Sequence, residues 1–597
     1  MLVFLALPVA IFLIFVIYPF ILAGYYSLTD WSGFSSDIPF IGIANYVKLA
    51  QDDIFQHALV NNIIIAVVVP LVTIVLALAF ASLITVAGRS HGNVQGIRAS
   101  ALYRTLSFFP YCVPAIVIGI IWGFVYDPSA GLLNGVLNGI GIPIGDFAWL
   151  GDVRTALPAS MFVIIWSFVG FYTVLFVAAI KGIPAETYEA VRLDGAGRFR
   201  TAFSITVPLI RDTVQTGYIY LGIAALDAFV YMTALFPNAG GPNNTTLVMS
   251  QELFITAFRK GHFGYATAMG VVLAVVTLLF AAIVFGVNRL LAGSDKETAD
   301  DRHDRSRRSA HRRADDRPRP PHPGDAVAGV LSHLVMILWT VIIVLPFLWV
   351  LMSSFKTTKE ILHSPFALPA QWKFDNYANA WTTSGVGSYF ANTLIVVGSA
   401  LVLVMLLGAM CAYVLARFRF IGNRAIYYLM LAGLTFPIFL AIVPLFFVLR
   451  SIGLLGTLPG LILTYVAFAL PFTVFFLHSF FRALPDEIYE AAQIDGASEW
   501  RTFFQVMLPM ARPGMATVAI FNFLGLWNQF LLPVALNPDQ NNYVLTQGMA
   551  SFASQAGYSV DFGALMAAVV ITVAPVLVVY VIFQRQLQGS VSQGTMK

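Results

Sequence analysis

Long uninterrupted apolar stretches decide what this chain can fold into. Twelve such runs occur along the 597 residues, six in each half. About 20 apolar residues in a helix span the hydrocarbon core of a bilayer, where backbone groups find no water to bind. The sequence therefore predicts an all-α integral membrane protein of about twelve transmembrane helices. The runs lie at 2–28, 58–87, 102–126, 156–180, 205–236, 265–291, 327–352, 389–416, 425–449, 459–481, 507–536 and 562–584.

The amino-acid composition agrees with a membrane protein and argues against a soluble or nucleic-acid-binding one. Charged residues make up 11% of the chain, whereas soluble proteins contain about 25%. The net charge of +4 is small, so we expect membrane lipids and no nucleic acid as partners. The two cysteines lie inside apolar runs and are interpreted as small core residues, with no disulfide or metal site. The first run lacks a charged leader and a cleavage site, which favours a retained helix over a removed signal peptide.

Lys and Arg are concentrated on alternate loops, which predicts the orientation. By the positive-inside rule these loops are cytoplasmic. The second half repeats the pattern of the first, with Lys356, Lys359 and Lys373 as an exception on its first outer loop. Both halves thus enter from the cytoplasm and return to it, as parallel repeats do. The cytoplasmic cations are Arg89, Arg98, Arg104, Lys181, Arg192, Arg198, Arg200 and Arg211, then Arg417, Arg419, Arg424, Arg482, Arg501 and Arg512.

A charged segment divides the halves. Residues 293–325 contain nine Lys or Arg and eight Asp or Glu, and such a segment buries too little apolar surface to fold. We predict a disordered cytoplasmic tether there, between a first half at 1–292 and a second half at 326–597.

One polar stretch occurs twice at the same place in each half. Residues 184–208 and 485–509 align without a gap at an offset of 301, and twelve of the 25 pairs are identical. Each stretch lies on the fourth cytoplasmic loop. Its proline can begin an amphipathic helix, and Asp194-Gly195 or Asp495-Gly496 can end it. Two equal surfaces on one membrane face predict a partner of twofold symmetry.

This repeated stretch resembles the EAA loop of bacterial ABC-importer permeases, whose pattern is E-A-A, three residues, G, nine residues, I-x-L-P. Glu189-Ala190-Val191 and Gly195 match the first copy, with Val191 and Val207 as departures from the pattern. Glu490-Ala491-Ala492 and Gly496 match the second copy, with Val506 as its departure. The segments VIYPFILAGYYSLTDW and GGPNNTT are similar to the longer permease of the sugar-importer, maltose-type group. The segments LPFLWVLMSSFKTTKEI, YVLARFRF and LWNQFLLP are similar to its companion. The chain thus resembles both permease subunits fused.

The resemblance implies a transmembrane permease that imports a sugar or sugar-derived solute by alternating access. It implies two separate ABC ATPase subunits on the cytoplasmic face, which bind ATP and Mg²⁺, so that this chain binds no cofactor and is not an enzyme. It also implies an extracytoplasmic solute-binding protein, which we expect at the GGPNNTT loop. The expected ATPase-coupling residues are Glu186, Tyr188, Glu189, Ala190, Asp194, Gly195, Ala196, Glu487, Tyr489, Glu490, Ala491, Asp495, Gly496 and Ala497.

Polar residues within the two fifth apolar runs suggest a solute pathway. Such side chains usually face a cavity or a neighbouring helix, and a sugar site combines amides or carboxylates with an aromatic face. The alternative is packing between the two fifth helices, with Asp227 bonded to Asn528. The pathway candidates are Asp227, Phe229, Tyr231, Trp527, Asn528 and Gln529.

Two parallel halves of six helices also describe an ion-coupled secondary transporter of the major-facilitator type. In that alternative the repeated polar loop has no function, and carboxylates for proton coupling are nearly absent from the apolar runs. The absence of any Gly-Lys dipeptide excludes the phosphate-binding P-loop, so ATP must be hydrolysed by another chain.

Overall fold

The computed structural model describes residues 2–33, 35, 37–86, 97, 99–193, 198–306, 323–435, 437–559 and 561–594. These residues are mainly helical, and they contain no β-strand beyond an isolated bridge between Thr29 and Phe40. The predicted all-α membrane class is confirmed. In the first half the main helices are α1 (Val3–Tyr26), α2 (Asp53–Val86), α3 (Ser100–Cys112), α4 (Ala115–Val125), α5 (Ala156–Lys181), α6 (Ala185–Leu193), α7 (Arg211–Leu226), α8 (Phe229–Leu235) and α9 (Phe263–Ser306).

The second half repeats this order after the charged segment. Its main helices are α10 (Pro323–Ser353), α11 (Val386–Arg417), α12 (Asn423–Gly433), α13 (Ile438–Ser451), α14 (Leu458–Ala483), α15 (Asp486–Ile494), α16 (Arg512–Trp527), α17 (Leu531–Leu536) and α18 (Phe562–Gly594). Shorter loop helices are Ala44–Leu49, Leu132–Gly139, Met249–Phe254, Thr358–His363, Asp375–Thr382 and Leu545–Ser559.

Eight helices among the described residues are long and apolar enough to span a membrane, and eleven spans result if each bent pair is counted as one. The bent pairs are α3–α4, α7–α8 and α12–α13, with angles of 101°, 48° and 102°. The twelfth predicted span, the fifth run of the second half, is divided into α16 and α17. A Val113-Pro114 sequence separates α3 from α4, because the residue before a proline avoids the helical conformation.

The first and last spans of each half pack against the other half. Helix α1 lies against α11, α13 and α14, and α10 lies against α2, α3 and α4. Helix α9 contacts α13, and α18 contacts α3 and α5. Phe4 in α1 packs against Trp500 of the second repeated loop, with the two ring centroids 4.6 Å apart. The halves are therefore interlocked, and motion of one repeated loop can be transmitted to helices of both halves.

The predicted tether at 293–325 is only partly described. Helix α9 continues to Ser306, and α10 begins at Pro323. The helix therefore extends beyond the apolar run that begins it. Residues 307–322 lie outside the described residues.

An asparagine near the outer end of α2 and of α11 holds the loop that follows the fifth span. The Asn61 side chain donates to the Leu247 carbonyl at 2.9 Å, and Asn392 donates to the Tyr543 carbonyl at 3.0 Å. These bonds fix the starts of the helices Met249–Phe254 and Leu545–Ser559. Equivalent elements of the two halves thus meet at the outer face in equivalent positions.

Candidate coupling helices and solute pathway

The first repeated loop forms α6 directly after Pro184. Tyr188 is buried, and its hydroxyl lies 3.3 Å from Thr206 Oγ1, on the segment that returns to the membrane. Burial raises the pKa of Tyr188, so its hydroxyl stays protonated near neutral pH. Glu186, Glu189 and Ala190 are exposed. One face of the helix is thus anchored, and the opposite face is available for contact.

The second repeated loop forms α15, which is held by a hydrogen-bonded network. Tyr489 donates its hydroxyl proton to Glu499 Oε1 at 2.9 Å, and Gln493 Nε2 donates to the Tyr489 oxygen at 2.6 Å. Tyr413 of α11 donates to the other oxygen of Glu499 at 3.4 Å. Burial and the neighbouring Glu499 carboxylate raise the pKa of Tyr489 to about 12. The network joins the loop helix to a spanning helix.

Arg417, at the end of α11, makes a further contact with the second loop. Its guanidinium is 5% exposed, forms an ion pair with Asp486 at the start of α15, and donates to the Leu484 carbonyl. Asp486 lies in the first turn of the helix, where a carboxylate is favoured by the helix dipole. The first turn of α15 is thus held in place by Arg417, a residue of the spanning helix α11.

Gly496 ends α15 in the left-handed conformation, with φ of +74°. Its N–H bonds the Gln493 carbonyl and the Ala497 N–H bonds the Ala492 carbonyl, both at 3.0 Å, which is a Schellman motif. This is the turn that the sequence predicts. The corresponding Asp194, Gly195 and Ala196 of the first loop lie outside the described residues.

The exposed surface of the second loop is acidic with an apolar end. Ala497 is half-buried at its edge. Tyr489 faces the permease, as Tyr188 does in the first loop. The two tyrosines therefore occupy anchoring positions in the structure. The exposed residues of the second loop helix and its turn are Asp486, Glu487, Glu490, Ala491, Gln493, Ile494, Asp495 and Gly496.

Asp227 and Asn528 lie at the breaks of the two fifth spans. Asp227 is exposed although it lies within the predicted fifth span, so it borders an open space. Asn528 donates to the Cys112 carbonyl at 2.9 Å, and no hydrogen bond or ion pair joins Asp227 to another described residue. The alternative of an Asp227–Asn528 bond is therefore not what the structure contains.

Phe229 and Phe530, repeat partners at the offset of 301, meet between the halves. Their ring centroids are 6.2 Å apart, and each side chain is 2% exposed. Phe439 and Phe254 pack on Phe229, each at 5.3 Å. The four rings form an apolar cluster between the halves, which we call the phenylalanine barrier.

The remaining pathway candidates lie in different surroundings. Tyr231 lies beside the Ser167 side chain. Trp527 is buried within the second half, against Phe390 and Phe523. Gln529 Oε1 accepts the adjacent Phe530 N–H.

Sequence reasoning missed Arg417 and Phe530 as functional residues. From the sequence Arg417 is only a marker of topology, because nothing local to it indicates a partner 69 positions later. Phe530 can be found from the repeat alone, since it aligns with Phe229.

Comparison with known proteins shows which protein family the chain belongs to. The family of inner membrane components of binding-protein-dependent transport systems matches twice, over residues 82–293 and 404–593. The chain belongs to this family. The double match shows two permease units in one polypeptide, and the resemblance to sugar-importer permeases is confirmed.

Two relatives come from Streptomyces coelicolor. The diacetylchitobiose uptake system permease protein NgcG is 72% identical over 267 residues, which cover 45% of this chain and 88% of the relative. The permease protein NgcF of the same kind of system is 62% identical over 296 residues, covering 49% and 84%. A solved chain of a bacterial ABC transporter involved in alginate import is 24% identical, with a TM-score of 0.39, over 47% of this chain and 91% of that chain.

Family membership fixes the general role of the chain. It is a multi-pass protein of the bacterial inner membrane and a permease component of the sugar ABC-importer family. The permease is not itself an enzyme, because ATP is hydrolysed by separate subunits in such importers. The secondary-transporter alternative is set aside.

Proposed function

We propose that the permease imports a short oligosaccharide by alternating access, driven by two ATPase subunits that bind α6 and α15. The observation that carries the proposal is the equivalent placement of two exposed acidic loop helices, each anchored to its own half by a tyrosine. A partner that pulls on both helices acts on the two halves together. ATP and Mg²⁺ belong to that partner, and this chain binds no cofactor.

The route from each loop helix to the barrier is short. Helices α7 and α16 begin just after the loops and end at the breaks beside Asp227 and Asn528. At about 1.5 Å per residue, a helix of this length crosses most of the bilayer core. Tilting these helices separates Phe229 from Phe530 and opens the space below to the outside. The breaks supply the hinges on which such movement depends.

The solute is proposed from the relatives and from the site. Both Streptomyces relatives are named for diacetylchitobiose uptake, a disaccharide with two acetamido groups. Asp227 and Asn528 offer hydrogen-bonding groups at the breaks of the two fifth spans, as a sugar requires. We propose diacetylchitobiose as the solute, delivered by an extracytoplasmic binding protein to the outer face near residues 240–246.

The coupling proposal is tested by reversing charge on both loop helices. The permease with Glu189→Arg and Glu490→Arg is reconstituted in proteoliposomes with its ATPase and binding protein, and ATP-dependent diacetylchitobiose uptake is measured. We expect at least about a tenfold loss, since like charges at an interface cost several kcal/mol. Arg424→Glu, an exposed charge reversal on another cytoplasmic loop, is the control and retains uptake. Normal uptake by the double variant contradicts the proposal.

A further inference from the structure

A cavity of about 490 Å³ lies between the halves on the outer side of the phenylalanine barrier. This volume is within the range of roughly 300–1,000 Å³ that small-molecule sites occupy. Its walls come from equivalent elements, namely α8 and α17 with the helices Met249–Phe254 and Leu545–Ser559. Phe229 and Phe530 both line it. A solute held here is adjacent to the barrier that it must pass.

The two halves contribute one glutamine each, and the two differ in bonding. Gln547 Nε2 donates to the Asn537 carbonyl at 2.7 Å, and its Oε1 accepts from Asn537 Nδ2 at 3.4 Å. At the repeat offset, position 236 is the equivalent of Asn537, and it is a phenylalanine. Gln251 Oε1 therefore lacks the side-chain donor that Asn537 offers to Gln547 Oε1.

Gln251 is 2% exposed, and its Oε1 has no hydrogen-bond partner among the described residues. Its Nε2 reaches Thr233 Oγ1 only at 3.5 Å. A buried carbonyl oxygen without a donor destabilises the folded protein. A ligand that donates a hydrogen bond to this oxygen removes the destabilisation when it binds. The oxygen then contributes to affinity for that ligand and to selectivity against ligands without the donor.

The surroundings of Gln251 indicate which donor fits. Phe254 and Ile255 follow it at three and four positions along the helix, so they share its face, and both line the cavity. An acetamido group has an N–H donor beside a methyl group, which matches an acceptor beside apolar side chains. Arg259 lines the same cavity and can donate to sugar oxygens.

The charge of the cavity disfavours a cationic solute and accepts a neutral sugar. Among the described residues its lining contains Arg259 and no carboxylate. Glu252, next to Gln251, is directed to Lys260 Nζ at 2.7 Å and to Thr256 Oγ1 at 3.0 Å, so its charge is compensated elsewhere.

We propose that this cavity is an entry subsite, in which Gln251 Oε1 accepts a hydrogen bond from an acetamido N–H of the sugar before the barrier opens. The assignment rests on the proposed function, because it takes diacetylchitobiose as the solute. It adds a recognition step within the permease itself, made by one half only.

Thiol labelling of the full chain in nanodiscs tests the subsite. Cys112 and Cys411 are buried, so a thiol reagent reports on Ser554→Cys, an exposed lining position. We expect diacetylchitobiose to slow labelling. With Gln251→Met added, the half-protecting concentration should rise about fivefold to tenfold, the effect of one lost hydrogen bond. Cellobiose lacks acetamido groups, so it should protect the chain with Gln251 intact no better than diacetylchitobiose protects the Gln251→Met variant. No protection, an unchanged midpoint in Gln251→Met, or equal protection by cellobiose overturns the proposal.

A matched variant separates recognition from structure. Gln547→Met leaves the buried Asn537 carbonyl without its donor, so the melting temperature of this variant should fall. Gln251→Met removes an unpaired oxygen, so this variant should melt at the same or a higher temperature. Uptake by the unmodified complex distinguishes the two proposals. If that complex imports diacetylchitobiose but the labelling result is negative, only the subsite is wrong; if it does not import the sugar, the proposed function is wrong.

Discussion

The two loop helices present similar faces to the cytoplasm but are supported by different chemistry. In the first half, the buried Tyr188 meets the neutral hydroxyl of Thr206. In the second half, Tyr489 binds a carboxylate, Glu499, and a buried arginine pairs with Asp486. The sequence explains part of this difference, because Ala185 and Arg198 stand at the positions equivalent to Asp486 and Glu499.

The difference shows that the repeat keeps the presented helix and the anchoring tyrosine, while each half supplies its own partner for that tyrosine. Hydrogen bonds to charged groups contribute about 1.5–3 kcal/mol, and neutral ones about 0.5–1.5 kcal/mol. The second loop should therefore be the more firmly held and the more sensitive to changes of charge.

The largest expected effect comes from Gly496→Val. A β-branched residue at φ of +74° costs up to about 3 kcal/mol, which should disrupt the end of α15 and lower ATP-driven uptake at least about tenfold. Gly422 has φ of +97° with open space around it, so Gly422→Val carries similar strain outside the loop helix. If both variants lose uptake equally, strain in general and not the coupling turn is responsible.

Arg417→Met should have the next largest effect. It removes the ion pair with Asp486 and the bond to the Leu484 carbonyl, and it keeps most of the buried volume. We expect α15 to lose about 2 kcal/mol of local stability, measured by hydrogen exchange of its backbone amides, while exchange in α6 stays unchanged. Equal changes in both loops would show that the supports are not independent.

Tyr489→Phe compared with Tyr188→Phe tests the two anchors directly. The first variant loses a bond to a carboxylate and the second a bond to a hydroxyl, so we expect local destabilisation of about 2 and about 1 kcal/mol. Hydrogen exchange of each loop reports these values. A larger local destabilisation by Tyr188→Phe than by Tyr489→Phe would show that the first loop, and not the second, is the more firmly held.

Asp486→Ala should have the smallest effect, because Asp486 is 82% exposed and exposed ion pairs contribute about 0–1 kcal/mol. The variant makes the second loop resemble the first at this position. Salt should reduce the difference between the variant and the unmodified chain. An effect as large as that of Arg417→Met would mean that the ion pair, and not the bond to Leu484, fixes the loop.

The sequence predicts the spans and the loop helices because apolar length and helix-ending glycines are local signals. It does not predict the inward direction of Tyr188 and Tyr489, since an amphipathic pattern leaves open which face meets the protein. The break at Asp227 and Ala228 contains no proline, so it carries no local signal. The packing of α1 and α10 against the opposite halves depends on contacts between helices that are far apart in the chain. The sequence places Trp527 next to Asn528 and Gln529, and for that reason it is included among the pathway candidates. In the structure its ring is buried within the second half, because side-chain direction is not set by position in the chain.

The central claim is that one chain carries two working attachment sites for an ATPase pair. Native mass spectrometry of the permease with its ATPase measures this most directly. We expect one chain with two ATPase subunits, and loss of the complex when Glu189→Arg and Glu490→Arg are combined. A complex of one chain with a single ATPase subunit, or one that survives both charge reversals unchanged, would contradict the account.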